Sequence, residues 1–110
     1  MTGVRMAQSV LTDLFAVIEQ RKLASADESY TAKLLAGGPA LAGRKLTEEA
    51  VETLIAALSE SDDAVVNEAA DLIYHLWVVL AARGISLEQV TDELERRFGL
   101  SGLVEKASRD

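Results

Sequence analysis

The residues in this sequence best placed to do chemistry are carboxylates at helical spacing. In the segment KLTEEAVETLIAALSE, Lys45 to Glu60, the acids Glu48, Glu49 and Glu52 interrupt a run otherwise suited to packing. Further on, NEAADLIYHLWVVLAA repeats the device with Glu68 and Asp71 before turning almost wholly apolar. With Glu48 set at zero on a helical wheel, Glu52 lies at about 40°, Lys45 at about 60° and Glu49 at about 100°, so one face carries all four. With Glu68 at zero, Asp71 lies at about 300° and His75 at about 340°, while Val65, Leu72 and Leu76 occupy roughly 40° to 80°. These acids border the apolar arc.

Any single glutamate reads most simply as a solvated surface charge. The set is different, because like charges one turn apart destabilise a helix and repel more strongly as their surroundings dry out. Lys45 can offset one charge, and a divalent cation can offset two. Oxygen donors, with one histidine in the chain and no cysteine, suit a hard cation such as Mg²⁺ or Mn²⁺. A carboxylate pair from each of two facing helices converges on one point, as in the carboxylate metal sites of helical bundles. Positions left open on Mg²⁺ are commonly filled by substrate phosphates, which indicates phosphoryl or pyrophosphoryl chemistry.

Helices are the elements that must position these acids. Leu11, Leu14, Phe15 and Ile18 predict a first amphipathic helix ending near Leu23. A short helix capped by Ser29 follows and stops at Gly37 and Gly38, and Pro39 cannot continue it. Leu46, Ala50, Leu54, Ile55 and Leu58 mark a second long helix. Ser61 caps a third, with Asp62 and Asp63 at the positive end of its dipole, and that helix runs to Gly84. Ser86 and Gln89 form a capping box, Ile85 can staple onto Val90, and a fourth helix reaches about Phe98. No stretch alternates long enough to make a strand. The expected class is therefore all-α, a single domain over residues 1–110, built as a bundle of about four longer helices plus a short one.

The acid pattern E-E-x-x-E followed by E-x-x-D, "EEAVE" and "EAAD", resembles the signature of the all-α nucleoside triphosphate pyrophosphohydrolases, the MazG-like enzymes. "SYTAKLLAGG", "KLTEEAVE", "NEAADLIYHL" and the tail "SGLVEKASR" narrow the resemblance to the phosphoribosyl-ATP pyrophosphohydrolase family of histidine biosynthesis. It spans roughly Leu11 to Arg109. The resemblance implies hydrolysis of phosphoribosyl-ATP to phosphoribosyl-AMP and pyrophosphate. It also implies Glu49, Glu52, Glu68 and Asp71 as metal ligands, with Glu48 as a supporting acid or the base that orients the attacking water. Helical angles alone do not rank Glu48 against Glu49, so both stand as catalytic candidates. The family's activity is sometimes fused to the cyclohydrolase of the next step; here the product is expected to pass to a separate protein.

Among the other polar residues, Lys45 is a candidate phosphate contact, or else an ion-pair partner of Glu49. Ser29, Tyr30, Thr31 and Lys33 surround a helix start, where hydroxyls and free N–H groups can hold an anion. Arg21 and Lys22 can neutralise phosphates, although cations are favoured at a helix C-terminus in any case. His75 can bond a metal-bound carboxylate or reach substrate, or can be a satisfied core residue.

The composition sets limits on partners. A net charge of -7, from 18 acids against 11 Lys and Arg, would repel a nucleic-acid backbone. The absence of cysteine excludes thiolate catalysis and disulfides. The N-terminus shows no signal peptide, and the run LIYHLWVVLAA is too short to span a bilayer, so a cytoplasmic protein is expected. A chain of 110 residues buries a small core, and the apolar Trp77, Val78, Val79 and Leu80 suggest completion by a homodimer. Two rivals remain: a house-cleaning pyrophosphohydrolase for other nucleoside triphosphates, and a non-catalytic helical dimer with solvated acids.

Overall fold

A computed structural model of the chain describes residues 2–99, with side chains from Val10 onward. Among these residues there are five α-helices and no strand, as the periodicity predicts. Helix α1 (Thr2–Gln20) tightens into a 3₁₀ turn, Arg21–Leu23, and is followed by α2 (Tyr30–Ala36), α3 (Gly38–Ser59), α4 (Asp62–Arg83) and α5 (Leu87–Gly99). The tail segment SGLVEKASR lies outside the described residues.

The helix boundaries follow local chemistry. Ser29 and Ser61 accept the backbone N–H groups of Ala32 and Ala64, so α2 and α4 start where their caps stand. Ser86 and Gln89 exchange side chain to backbone bonds of 2.9 and 3.2 Å ahead of α5. The junction between α2 and α3 is tighter than the sequence suggested. Gly37 closes α2, Gly38 takes φ +72°, and Pro39 sits in the first turn of α3, so this helix begins well upstream of Leu46 with no loop between. A side chain at Gly37 would collide with Leu41, so the turn needs a glycine there for space as well.

All five helices contribute to one core. Phe15 and Ile18 of α1 meet Leu34 of α2, Ala42 of α3, Val78 and Ala81 of α4, and Leu87 of α5. Trp77 packs edge-on against Phe15, and its indole N–H donates to the Leu11 carbonyl at 3.0 Å. Val78 is fully buried and Trp77, Val79 and Leu80 are partly covered, so this run belongs mainly to the core of one chain.

The exposed apolar surface lies elsewhere. Helices α3 and α4 pack on each other most extensively, yet α3 keeps only Ala42 and Ala56 fully covered. Val51, Leu54, Ile55 and Leu58, at i, i+3, i+4 and i+7, are 49–77% exposed. The stripe expected to pack inward therefore faces outward, and Glu49 and Thr53 occupy half-buried positions instead. Helix α4 as a whole is long and apolar enough to cross a membrane, which the shorter run considered alone was not. It carries Glu68, Asp71 and His75, however, and each acid would cost about 3 kcal/mol at a bilayer centre.

Candidate metal centre

Helices α3 and α4 bring together the acids that the sequence separates. Ligand atoms of Glu49, Glu68 and Asp71 all lie within 4.8 Å of one another. The first comes from the α4-facing side of α3, and the other two stand one turn apart on α4. One oxygen of Glu49 and one of Glu68 are buried and have no hydrogen-bond partner. Burial, followed by the carboxylates of Glu52 and Glu49, holds the Glu68 pKa above its ordinary value. Glu52 thus stands close enough to act on Glu68, although its ligand atoms fall outside the tight group of three.

Such an arrangement is costly unless a positive charge satisfies it. Unpaired buried oxygens are rare in folded proteins, and adjacent carboxylates oppose one another's ionisation. Their donor set is oxygen-only and hard, and the two unsatisfied atoms belong to two different helices. These residues fit a divalent cation of the Mg²⁺ type.

Thr53 bridges the two helices at this point, and sequence reasoning overlooked it. Its hydroxyl lies 2.8 Å from the Glu49 carbonyl and 3.3 Å from the Glu68 carbonyl across the interface. It therefore touches the backbone of an acid on each side. The available signal was a threonine inside a helix, one turn after Glu49, where a hydroxyl needs an acceptor.

The remaining candidates fall into two groups. Glu48 is exposed and pairs with Lys45 at 3.6 Å, so the lysine's ion-pair partner is Glu48, not the Glu49 offered as the alternative to a phosphate contact. Lys22 pairs with Glu19 at 3.0 Å and lines a separate cleft of about 450 Å³ with Arg83. Arg21 is exposed and lies near enough to Tyr74 for its charge to act on that hydroxyl. Lys33 is also exposed.

Tyr30 and Thr31, at the start of α2, reach α4. Thr31 hydrogen-bonds the Tyr74 hydroxyl, whose pKa is pushed up by burial. Tyr30 reaches Nε2 of His75 at 3.4 Å. His75 is buried and bonds the backbone carbonyl of Asp71 at 2.8 Å, so it contacts that residue's main chain in place of its carboxylate.

Comparison with known proteins gives this geometry a context. The model of the phosphoribosyl-ATP pyrophosphohydrolase family matches residues 11–98. The chain belongs to this family. It is 54% identical to the phosphoribosyl-ATP pyrophosphatase of Methylobacterium nodulans over 94% of its own length and 97% of the relative's. The enzyme of the same name from Agrobacterium fabrum is 53% identical with the same coverage, and that of Caulobacter vibrioides is 55% identical over 91% and 92%. The family match spans all five residues of the acid signature and every substrate-side candidate named above. A hydrolase is thereby expected of the family member, and the acid group on α3 and α4 is its candidate centre.

Proposed function

We propose that this chain hydrolyses phosphoribosyl-ATP to phosphoribosyl-AMP and pyrophosphate, an early step of histidine biosynthesis, with Mg²⁺ as the metal. The observation that carries this reading is the pair of buried, unpartnered carboxylate oxygens on Glu49 and Glu68, converging with Asp71 in a chain of this family. Glu49, Glu68 and Asp71 would hold the cation, with Glu52 beside them. When bound, Mg²⁺ would supply charge to offset that developing on the phosphates and a means of orienting them.

The chain's own residues do the rest. Glu48, exposed and paired with Lys45, would accept a proton from water, and Lys45 would limit repulsion of an anionic substrate. Tyr30, Thr31 and Lys33, with Ser29 capping their helix, form the substrate side, and Arg21 adds positive charge near Tyr74. Lys22 lines the separate cleft with Arg83.

The test is pyrophosphate release from phosphoribosyl-ATP against a panel of ordinary and deoxynucleoside triphosphates, with Mg²⁺ and with EDTA. Preferential, Mg²⁺-dependent turnover of phosphoribosyl-ATP is expected. Equal or better turnover of the simple triphosphates would point to a house-cleaning enzyme instead.

The outward apolar stripe of α3 supports a homodimer. Val51, Leu54, Ile55 and Leu58 form a stripe of the kind a helix normally buries, and Val66 of α4 is 65% exposed as well. A second copy of the chain can cover this surface without exposing the acids to lipid.

A further inference from the structure

His75 is the single buried polar side chain among the described residues, and both of its ring nitrogens are engaged. The Asp71 carbonyl can only accept, so Nδ1 carries the proton, and in the neutral ring Nε2 is left as an acceptor for the Tyr30 hydroxyl. The imidazole also meets the rings of Tyr30 and Tyr74 edge-on, with centroids 6.3 and 4.8 Å away. Beside it, Thr31 and Tyr74 make a second hydroxyl bond between the same two helices. Four side chains thus form a polar clasp between the start of α2 and the middle of α4. Tyr30 contributes its hydroxyl to this clasp while 53% of its surface stays exposed.

We propose that His75 is a positioning residue: it ties Tyr30 to the Asp71 turn of α4 and so holds the substrate side of the site in register with the acid group. The inference rests on the reading of Tyr30 as a substrate contact. Asp71 is at once a member of the acid group and the acceptor of the His75 N–H, so the path from the carboxylates to the Tyr30 hydroxyl is one helical turn and two hydrogen bonds. Because the bond from His75 goes to the main chain of Asp71, its loss leaves the carboxylates in place. The consequence is a defect in substrate binding, not in metal binding.

The two contacts can be separated by near-isosteric variants. In His75→Gln the side-chain amide reaches towards the Nε2 position and can still accept from Tyr30. In His75→Asn the shorter amide stands in for Nδ1 and loses Tyr30. Steady-state kinetics with phosphoribosyl-ATP should show KM raised about three- to tenfold in His75→Asn and in Tyr30→Phe, the loss expected for one hydrogen bond. The double variant should be no worse than Tyr30→Phe alone, His75→Gln should lose less affinity than His75→Asn because it keeps the Tyr30 bond from the same turn of α4, kcat should move little, and the Mg²⁺-induced rise in melting temperature should persist in all four proteins. Additive losses in the double variant, a His75→Gln as poor as His75→Asn, or a loss of kcat together with the Mg²⁺ response would overturn the assignment. The ¹⁵N shifts of the His75 ring in substrate-free protein provide an independent readout, because Nε2 should move in Tyr30→Phe and Nδ1 should not. Unmoved shifts would refute the clasp itself. A parent that fails to turn over phosphoribosyl-ATP while those shifts move would refute the functional reading and leave the clasp standing.

Discussion

Glu68 is the residue at which the chemistry can be tested most directly. Its carboxyl is disfavoured in the charged form by burial and by Glu52 and Glu49, so in metal-free protein its folded pKa lies above the ordinary 4.5. A group whose folded pKa is raised contributes stability that is fully present below 4.5 and is lost as pH rises through the folded value. Metal-free protein should therefore gain stability from this group on acidification from neutral pH, and Glu68→Gln should abolish that gain while being as stable as the parent, or more so, at pH 7. Mg²⁺ acts in the opposite sense, because it needs the deprotonated carboxylate. Added Mg²⁺ should raise the parent's melting temperature by linkage and the variant's much less. Hydrolysis in the variant should fall by more than the ~10–100-fold that follows loss of a group behind a metal ligand. Melting curves with EDTA and Mg²⁺ across pH, with pyrophosphate release alongside, decide the matter. A variant keeping both its Mg²⁺ response and its turnover would remove Glu68 from the centre.

At the scale of the helices, the acids work only if α3 and α4 hold their relative phase. Thr53 is the side chain that touches both backbones there. Thr53→Val keeps the shape and removes the hydroxyl, so a stability loss of about 1 kcal/mol is expected, with a weaker Mg²⁺ response as the more telling result. A variant with normal Mg²⁺ stabilisation would show that side-chain packing alone sets the phase. Helix α5 offers a contrast away from the site. The Arg96 guanidinium, bonded to both oxygens of Glu93, and then Arg97 lower the Glu93 pKa to about 2. A depressed folded pKa gives stability present above 4.5 and lost as pH falls towards about 2. The pairs are exposed, so Glu93→Gln should cost little at pH 7, and its difference from the parent in melting temperature should vanish across that acid window. A difference that stays constant with pH would argue against the ion pairs as its source. This scale also shows what the sequence made legible. Spacing gave the helices and their serine caps, because each depends on residues within one or two turns, and it put acids on one face of each of two helices; the choice of Glu49 with Glu68 and Asp71 came from the family resemblance, since angles alone do not rank Glu48 against Glu49. Spacing did not reveal that Leu54, Ile55 and Leu58 face outward: a wheel shows two arcs on α3 but not which of them meets α4. Nor did it reveal the clasp, whose partners stand 43 and 45 residues apart.

For the whole molecule, α3 is oriented with one acid towards α4 and its apolar residues towards solvent. Its α4-facing side carries Glu49 of the candidate metal centre and its apolar stripe is left outside, the reverse of an ordinary surface helix. A helix normally buries such a stripe, and α4, α1 and α2 are already engaged with the core. In an isolated monomer, Leu58 at 77% and Leu54 at 57% exposure would tolerate polar replacement within about 0.5 kcal/mol. In a homodimer the same replacement would bury charge at the interface without a partner. Leu54→Glu combined with Leu58→Glu therefore separates the two states. Sedimentation at micromolar concentration should give a dimer or larger for the parent and a smaller species for the variant, whose helical content should be retained. A parent that sediments as a monomer, or a variant that assembles as well as the parent, would exclude this stripe as the interface and leave the outward face of α3 without a physical cause.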